Sequence, residues 1–185
     1  SELIQVLLER SFFFSFTFSP FLICFVFLTI FFTKGIFLKK LYYGYDLFIN
    51  DTQILVDKSR DFKPEILLAV ARGGLTLSHL MAQAFNIRDL YTLNSIHYDG
   101  EKKLDSFDVF NIPDLSWANR VLIIDDIVDS GETMKEILFI LKEKFPNIEF
   151  KIATLFYKNT ALIKPDFSIR EANEWIDFFW EVDVK

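Results

Sequence analysis

The segment 121–134, VLIIDDIVDSGETM, holds most of the side chains that could do chemistry. Its apolar residues 121–124 are typical of a buried strand, which we predict to end at two adjacent carboxylates, Asp125 and Asp126. Ligands of open α/β sheets bind at the carboxyl ends of the strands. A pair of carboxylates there suits two neighbouring hydroxyls or a hydrated Mg²⁺.

The residues that follow the acid pair have the pattern of an anion site. A short loop contains Asp129, Ser130 and Gly131, and a helix should begin near Glu132 and Thr133. A helix start offers free backbone N–H groups and the positive end of the helix dipole. Ser130 and Thr133 add hydroxyl donors, and Gly131 allows a close backbone approach. A phosphorylated sugar with a cis-diol fits both halves of the segment.

Other interpretations of this segment are weaker. Response-regulator receivers also have a strand that ends in two aspartates, but there the pair lies near the start of the domain and a further aspartate follows a later strand. A strand followed by a polar turn and a capped helix, with no function, is the other alternative.

Strands and helices alternate along the rest of the chain. We predict, in order, a helix over 45–60 with Asp46 or a neighbour as its cap, strand 66–71, a turn at Gly73-Gly74, helix 75–85, strand 90–96, a polar loop at 97–108, strand 121–124, helix 131–145, strand 150–156 and an aromatic tail from 158. This alternation predicts an α/β domain with a mainly parallel sheet.

The first 40 residues differ from the rest and hold eleven of the 23 phenylalanines. Residues 11–32 carry no charge over 22 positions, and about 20 apolar residues span a bilayer as a helix. Lysines follow this run, which would leave the remainder in the cytoplasm. A membrane anchor and a cleaved signal peptide are two interpretations; the third, which we favour, is translated upstream sequence outside the working protein. We therefore divide the chain into 1–40 and a domain at 41–185.

Charge and rare residues narrow the class of protein. The net charge of −6 argues against a nucleic-acid partner. The single cysteine, Cys24, cannot form an intrachain disulfide, so a cytoplasmic location is permitted. His79 and His97 have no spacing that suggests a metal site.

With its apolar strand, two acidic residues, short loop and Asp-Ser-Gly-x-Thr, the segment 121–134 resembles the phosphoribosyl pyrophosphate (PRPP) signature of type I phosphoribosyltransferases. Only Glu132 departs, standing where a glycine is common. The resemblance runs from about residue 45 to the C-terminus and is strongest to small bacterial xanthine-guanine phosphoribosyltransferases. It implies a mainly parallel central sheet flanked by helices, a small C-terminal hood, and a homodimer or homotetramer.

The resemblance also implies how PRPP is bound. Asp125 and Asp126 would hold the ribose hydroxyls, with Mg²⁺ at Asp126 directly or through water. The 5'-phosphate would lie on Ile127, Val128, Asp129, Ser130, Gly131, Glu132 and Thr133. The pyrophosphate would lie on Ala71, Arg72, Gly73 and Gly74, where a non-proline cis peptide is expected at Ala71–Arg72 or Arg72–Gly73. The polar stretch 97–108 corresponds to a mobile lid, so either Lys102 and Lys103 reach the pyrophosphate or they lie in a solvated loop.

The tail resembles the base site of the purine enzymes. Lys158 would donate to the oxygen at purine C6, Trp175 would stack on the base unless it packs in the core, and the Ile176 backbone would contact the C2 edge. Trp180 is expected to be structural. Asp129 is the candidate acceptor for the proton on purine N7.

The predicted reaction joins a 6-oxopurine (guanine, xanthine or hypoxanthine) to PRPP, with Mg²⁺, and gives the nucleoside 5'-monophosphate and pyrophosphate. The alternatives are a non-catalytic regulator that binds a nucleotide or RNA and a phosphoribosyltransferase that acts on another base. Adenine is disfavoured because a lysine donor at position 158 matches a 6-oxo group better than a 6-amino group.

Overall fold

A computed structural model describes residues 40–97 and 107–183. Its elements in chain order are β1 Lys40–Tyr43, α1 Tyr45–Ser59, a 3-10 turn Arg60–Phe62, β2 Ile66–Ala71, α2 Gly74–Phe85, β3 Leu90–His97, β4 Phe107–Phe110, β5 Arg120–Val128, α3 Glu132–Lys144, β6 Glu149–Tyr157, β7 Phe167–Glu171 and β8 Trp175–Phe178.

Six strands form the central sheet in the order β4-β3-β2-β5-β6-β7. The pair β3–β4 is antiparallel and the other pairs are parallel. Strands β1 and β8 form a separate parallel pair, which we call the hood. This confirms the predicted α/β fold with a mainly parallel sheet.

Apolar periodicity accounts for the helices and strands of the core. On α1 the buried positions are Phe48, Asp51, Thr52, Leu55, Val56 and Ser59, the spacing of one helical face. The central strand β5 is buried over residues 121–124, since parallel strands are covered on both faces. The helix starts after Gly44, which is extended at φ −82°, so Asp46 is not its N-cap.

Strands β1, β4, β5, β7 and β8 differ from the sequence prediction, which assigns no element to residues 40–43. Strand β5 continues beyond the acid pair to Val128, because its backbone keeps pairing with β6 as far as Tyr157. Strand β4 begins at the end of the predicted loop 97–108 and continues to Phe110; it is a short edge strand whose Asp108 is exposed. Strands β7 and β8 lie in the aromatic tail, to which the sequence prediction assigns no element.

Within residues 40–97 and 107–183, no helix is both long and apolar enough to cross a membrane. The apolar stretch 11–32, on which the anchor interpretation depends, lies outside these residues.

Candidate active site at the carboxyl ends of the strands

The acid pair lies inside β5, two residues before the strand ends. Asp126 is 9% exposed, and Asp125 is partly buried opposite Thr154 of β6. The backbone N–H of Asp126 donates to Oδ1 of Asp125 at 3.0 Å. The prediction that the strand ends at these carboxylates is wrong, because backbone pairing does not depend on side-chain polarity.

Ile127 and Val128 are consequently strand residues and not loop residues. Val128 is buried in the core and its carbonyl accepts from the Lys158 N–H at 2.9 Å. Ile127 is half-buried and packs against a second group of core residues, which includes Ile124 and Phe156. The exposed loop that could surround a phosphate is therefore shorter than predicted, and it starts at Asp129.

Burial opposes ionisation of the acid pair. Loss of solvent, followed by the charge of Asp126, raises the pKa of Asp125 well above its usual range. Burial is also the main cause that raises the pKa of Asp126 to about 6, and the negative charge of Glu181 adds to it. Burial and the like charge of the neighbour therefore disfavour ionisation of the pair, and a nearby cation would favour it.

Replacing Asp126 with asparagine should stabilise the metal-free protein at alkaline pH. Asp126 binds its proton more tightly in the folded chain, where its pKa is about 6, than in an unfolded chain, where the pKa is about 3.9. The folded state therefore loses stability as pH rises through 6. We expect the variant to melt about 5 °C or more above the wild type at pH 8 in a chelator. The gain should shrink as pH falls towards 4, where both forms are uncharged.

Thermal melts between pH 4 and pH 8 would measure this difference. Asp61→Asn is the matched control, since that carboxylate is exposed. An Asp126→Asn variant that is less stable than the wild type at pH 8 would show that the ionised carboxylate stabilises the fold.

The loop after β2 lies directly against the acid pair. The peptide Ala71–Arg72 is cis, one of the two places expected. A Cβ on Gly73 would lie 2.3 Å from Oδ2 of Asp126, and a Cβ on Gly74 would lie 2.3 Å from the Ile124 carbonyl oxygen. Only glycine fits at both positions, and Arg72 is left exposed beside them. The predicted pyrophosphate loop and the predicted ribose carboxylates are thus neighbours.

The loop predicted to bind the 5'-phosphate, residues 129–131, which we call the phosphate loop, leads into α3 in the expected way. Gly131 has φ +80°, a left-handed conformation that favours glycine, and a Cβ there would lie 2.8 Å from the Ile163 nitrogen. Ser130 lies exposed before it, and its Oγ accepts from the Glu132 N–H at 3.3 Å. Thr133 is partly buried in the first turn of α3. These groups present backbone N–H and hydroxyl donors at a helix start.

Lys158 connects this loop to the tail. Its Nζ lies 2.5 Å from Oδ1 of Asp129, and both side chains are partly exposed, at 39% and 58%. The two residues were predicted separately, one for the purine oxygen and one for proton transfer. The structure brings them together in an ion pair that the sequence did not indicate.

The remaining tail residues occupy the hood. Trp175 begins β8 and is 55% exposed, so the core-packing alternative for it is wrong. Ile176 is buried. Trp180 stacks on Phe178 at 4.6 Å between ring centroids, in agreement with a structural role. Lys102 and Lys103 of the predicted lid lie outside the described residues.

Sequence reasoning missed the contacts that attach the hood. Asp51 is fully buried in α1 and binds Tyr43 of β1 and Arg170 of β7. The sequence does contain an indication of this buried contact, because an aspartate lies between Phe48 and Leu55 on the apolar face of the helix. A charge at such a position needs buried partners.

Side chains that could bind a metal do not cluster in the described part of the chain. No group of three or more His, Cys, Asp or Glu side chains there could hold a metal ion. Mg²⁺ is commonly bound by one or two carboxylates together with substrate oxygens. The acid pair, with its raised pKa values, fits that kind of site.

The fold and this site define an α/β protein in which a buried carboxylate pair and a helix start lie at the carboxyl edge of the sheet, the edge where open α/β sheets bind ligands. The chain matches the family described as the phosphoribosyl transferase domain over residues 46–185. It therefore belongs to the type I phosphoribosyltransferases, a family of glycosyltransferases that use PRPP.

Individual relatives agree with this family. The chain is 28% identical over 121 residues to a xanthine-guanine phosphoribosyltransferase of Idiomarina loihiensis, covering 64% of this chain and 71% of that one. It is similar in structure to a xanthine-guanine-hypoxanthine phosphoribosyltransferase of Helicobacter pylori, with a TM-score of 0.74, 37% identity, and coverage of 78% and 95% of the two chains. A purine phosphoribosyltransferase of Pyrococcus horikoshii has a TM-score of 0.66, 29% identity, and coverage of 79% and 97%.

Proposed function

We propose that this chain transfers the ribose 5-phosphate group of PRPP to a 6-oxopurine. The observation that carries the proposal is the position of Lys158, whose ammonium lies at the end of β6 against Asp129 in the phosphate loop. An ammonium is a donor only, so it suits an oxygen at purine C6 and not an amino group. The purine substrates named for the similar proteins support the same class of base.

In this proposal PRPP lies across the two loops and the acid pair. Asp125 and Asp126 accept hydrogen bonds from the ribose hydroxyls. The 5'-phosphate binds the loop 129–133 at the start of α3, and the pyrophosphate binds the loop 71–74. The close contact of Gly73 with Asp126 supports this order, because pyrophosphate and ribose are adjacent in PRPP.

Asp126, with Asp125 beside it, would hold Mg²⁺ directly or through water. When bound, Mg²⁺ supplies positive charge that compensates the buried acid pair and the departing pyrophosphate. The backbone N–H groups of the loop 71–74 and the Arg72 guanidinium share in holding the leaving group.

The chain's own residues then orient the purine and move one proton. The bond from the sugar C1 to the pyrophosphate oxygen breaks, and purine N9 bonds to C1 from the opposite face. Trp175 stacks on the base, and the Ile176 backbone contacts its C2 edge. Asp129 accepts the proton that leaves N7. Lys158 has three N–H donors, so it can contact the C6 oxygen while it stays bound to Asp129.

The proposal also includes the extent of the catalytic domain and its oligomeric state. The catalytic domain is 41–185, since the family match begins at residue 46. The working form is a homodimer or homotetramer.

Nucleotide binding tests the choice of base. We expect the nucleoside 5'-monophosphates that contain guanine, xanthine or hypoxanthine to bind the full 185-residue chain at least about tenfold more tightly than the adenine nucleotide does. The reason is the charge-assisted hydrogen bond from Lys158 to the C6 oxygen, which the adenine nucleotide cannot accept. Calorimetric titration measures the four affinities. Lys158→Met should remove the preference, whereas Lys164→Met, at an exposed lysine in the same tail, should keep it. Equal affinity of the wild type for the adenine nucleotide would contradict a 6-oxopurine site.

A further inference from the structure

One buried carboxylate joins three elements of the fold, α1, β1 and β7. Asp51 of α1 is fully buried. Its Oδ2 accepts from the Tyr43 hydroxyl at 2.9 Å and from Nε of Arg170 at 2.6 Å, and its Oδ1 accepts from Nη2 of Arg170 at 2.9 Å. Tyr43 belongs to β1 and Arg170 to β7, so the contact spans 119 positions of sequence between Asp51 and Arg170.

Tyr43 attaches the hood to the rest of the domain. Its ring makes edge contacts with four aromatic neighbours, Phe48, Phe156, Phe178 and Trp180. Its carbonyl accepts from the Phe179 N–H at 3.1 Å. Strands β1 and β8 pair with each other and not with the six-stranded sheet. The depth and orientation of the hood therefore depend on Tyr43.

Because β1 and β8 are paired, the position of Tyr43 also affects the positions of the proposed purine contacts on β8. Tyr43 pairs with Phe178, and on the same two strands Lys40 pairs with Trp175 and Leu41 with Ile176. A shift of Tyr43 moves the whole strand pair, because neighbouring strands are joined by their backbone hydrogen bonds. Trp175 and Ile176 would then move with it.

Arg170 links the same carboxylate to β6, the strand that ends directly before Lys158, the other proposed purine contact. It pairs with Phe156 of β6, two residues before Lys158. The Ala172 N–H also donates to the Tyr157 carbonyl at 2.8 Å. Asp51 thus fixes one side of the proposed base site through Tyr43 and the other side through Arg170.

We infer that Asp51 and Tyr43 are positioning residues for the purine: they hold Trp175 and Ile176 at the spacing from Lys158 that the base requires, without touching the base. This inference rests on the proposed function. When the hood is docked in only a fraction of molecules, the apparent affinity for the base falls by that fraction. The loops proposed for PRPP leave β2 and β5, so affinity for PRPP should not change.

Steady-state kinetics of the full chain test the inference through separate KM values. Tyr43→Phe keeps the buried ring and removes only the hydroxyl, and Asp51→Asn removes the charge. We expect KM for the 6-oxopurine to rise about fivefold in Tyr43→Phe and about tenfold or more in Asp51→Asn. KM for PRPP and kcat at saturating purine should stay within about twofold. Exposed Tyr45→Phe and Asp57→Asn are the matched controls, and each should behave as the wild type.

The possible results distinguish a failure of this inference from a failure of the proposed function. A purine KM that stays within twofold of the wild type in both variants, whatever happens to their melting temperatures, would show that the network only stabilises the fold. Equal rises in both KM values would mean a general loss of structure and would also overturn the inference. A wild type that turns over no purine would overturn the proposed function itself. If Asp51→Asn does not fold, Tyr43→Phe decides alone.

Discussion

Asp129→Asn should lower kcat by roughly 10²–10⁴-fold, the range over which a general base contributes. In the proposed reaction its carboxylate accepts the proton that leaves purine N7, and an amide cannot do so. Asp129 is exposed, and its Oδ1 lies 2.5 Å from Nζ of Lys158, so it lies beside the group proposed to contact the C6 oxygen, which neighbours N7 in the purine. Pre-steady-state measurement of nucleotide formation would report the chemical step itself.

Lys158→Met is the matched control for this prediction. It breaks the same ion pair but leaves the carboxylate in place, so it should raise KM for the purine more than it lowers kcat. If Asp129→Asn lowers the chemical step less than about tenfold, or no more than Lys158→Met does, then Asp129 is not the base and the ion pair has another role.

Gly73→Ala should lower kcat/KM for PRPP by about 10²-fold. The added Cβ would lie 2.3 Å from Oδ2 of Asp126 and 2.6 Å from its Cγ. Either the carboxylate or the loop must then move, and displacement of a reacting group by about 1 Å costs on this order. Initial rates at varied PRPP and saturating purine measure the effect.

Gly44→Ala provides the same substitution away from the acid pair. A Cβ at Gly44 would lie 3.3 Å from the Tyr42 ring, and its φ of −82° suits alanine. We expect this variant to keep its kcat/KM for PRPP within about twofold. Wild-type kinetics in Gly73→Ala would mean that the contact between the loop after β2 and Asp126 does not matter for PRPP.

The sequence predicted best where a local pattern decides the structure. The apolar run before Asp125 gave β5, and the apolar spacing of α1 gave that helix to within one residue at its end. The phosphate loop was recognisable because Gly131 and the start of α3 follow at a fixed spacing. Such features depend on neighbouring residues, so a single sequence contains them.

Contacts between distant segments could not be predicted in the same way. Pairing of β1 with β8 joins Lys40 to Trp175, and no local pattern indicates such a partner. The polar acid pair predicts an end of β5 that is too early, because backbone pairing with β6 continues to Val128. The ion pair of Lys158 with Asp129 depends on how β6 ends beside the phosphate loop, which only the fold determines.

The most direct test is pyrophosphate release by the full 185-residue chain with PRPP and Mg²⁺, with guanine, xanthine, hypoxanthine and adenine supplied in turn. We predict release with one or more of the three 6-oxopurines and none with adenine. Release with adenine alone would contradict the assignment of Lys158 to a 6-oxo group. Binding of PRPP without release for any of the four bases would contradict purine transfer while leaving the fold and the PRPP site intact.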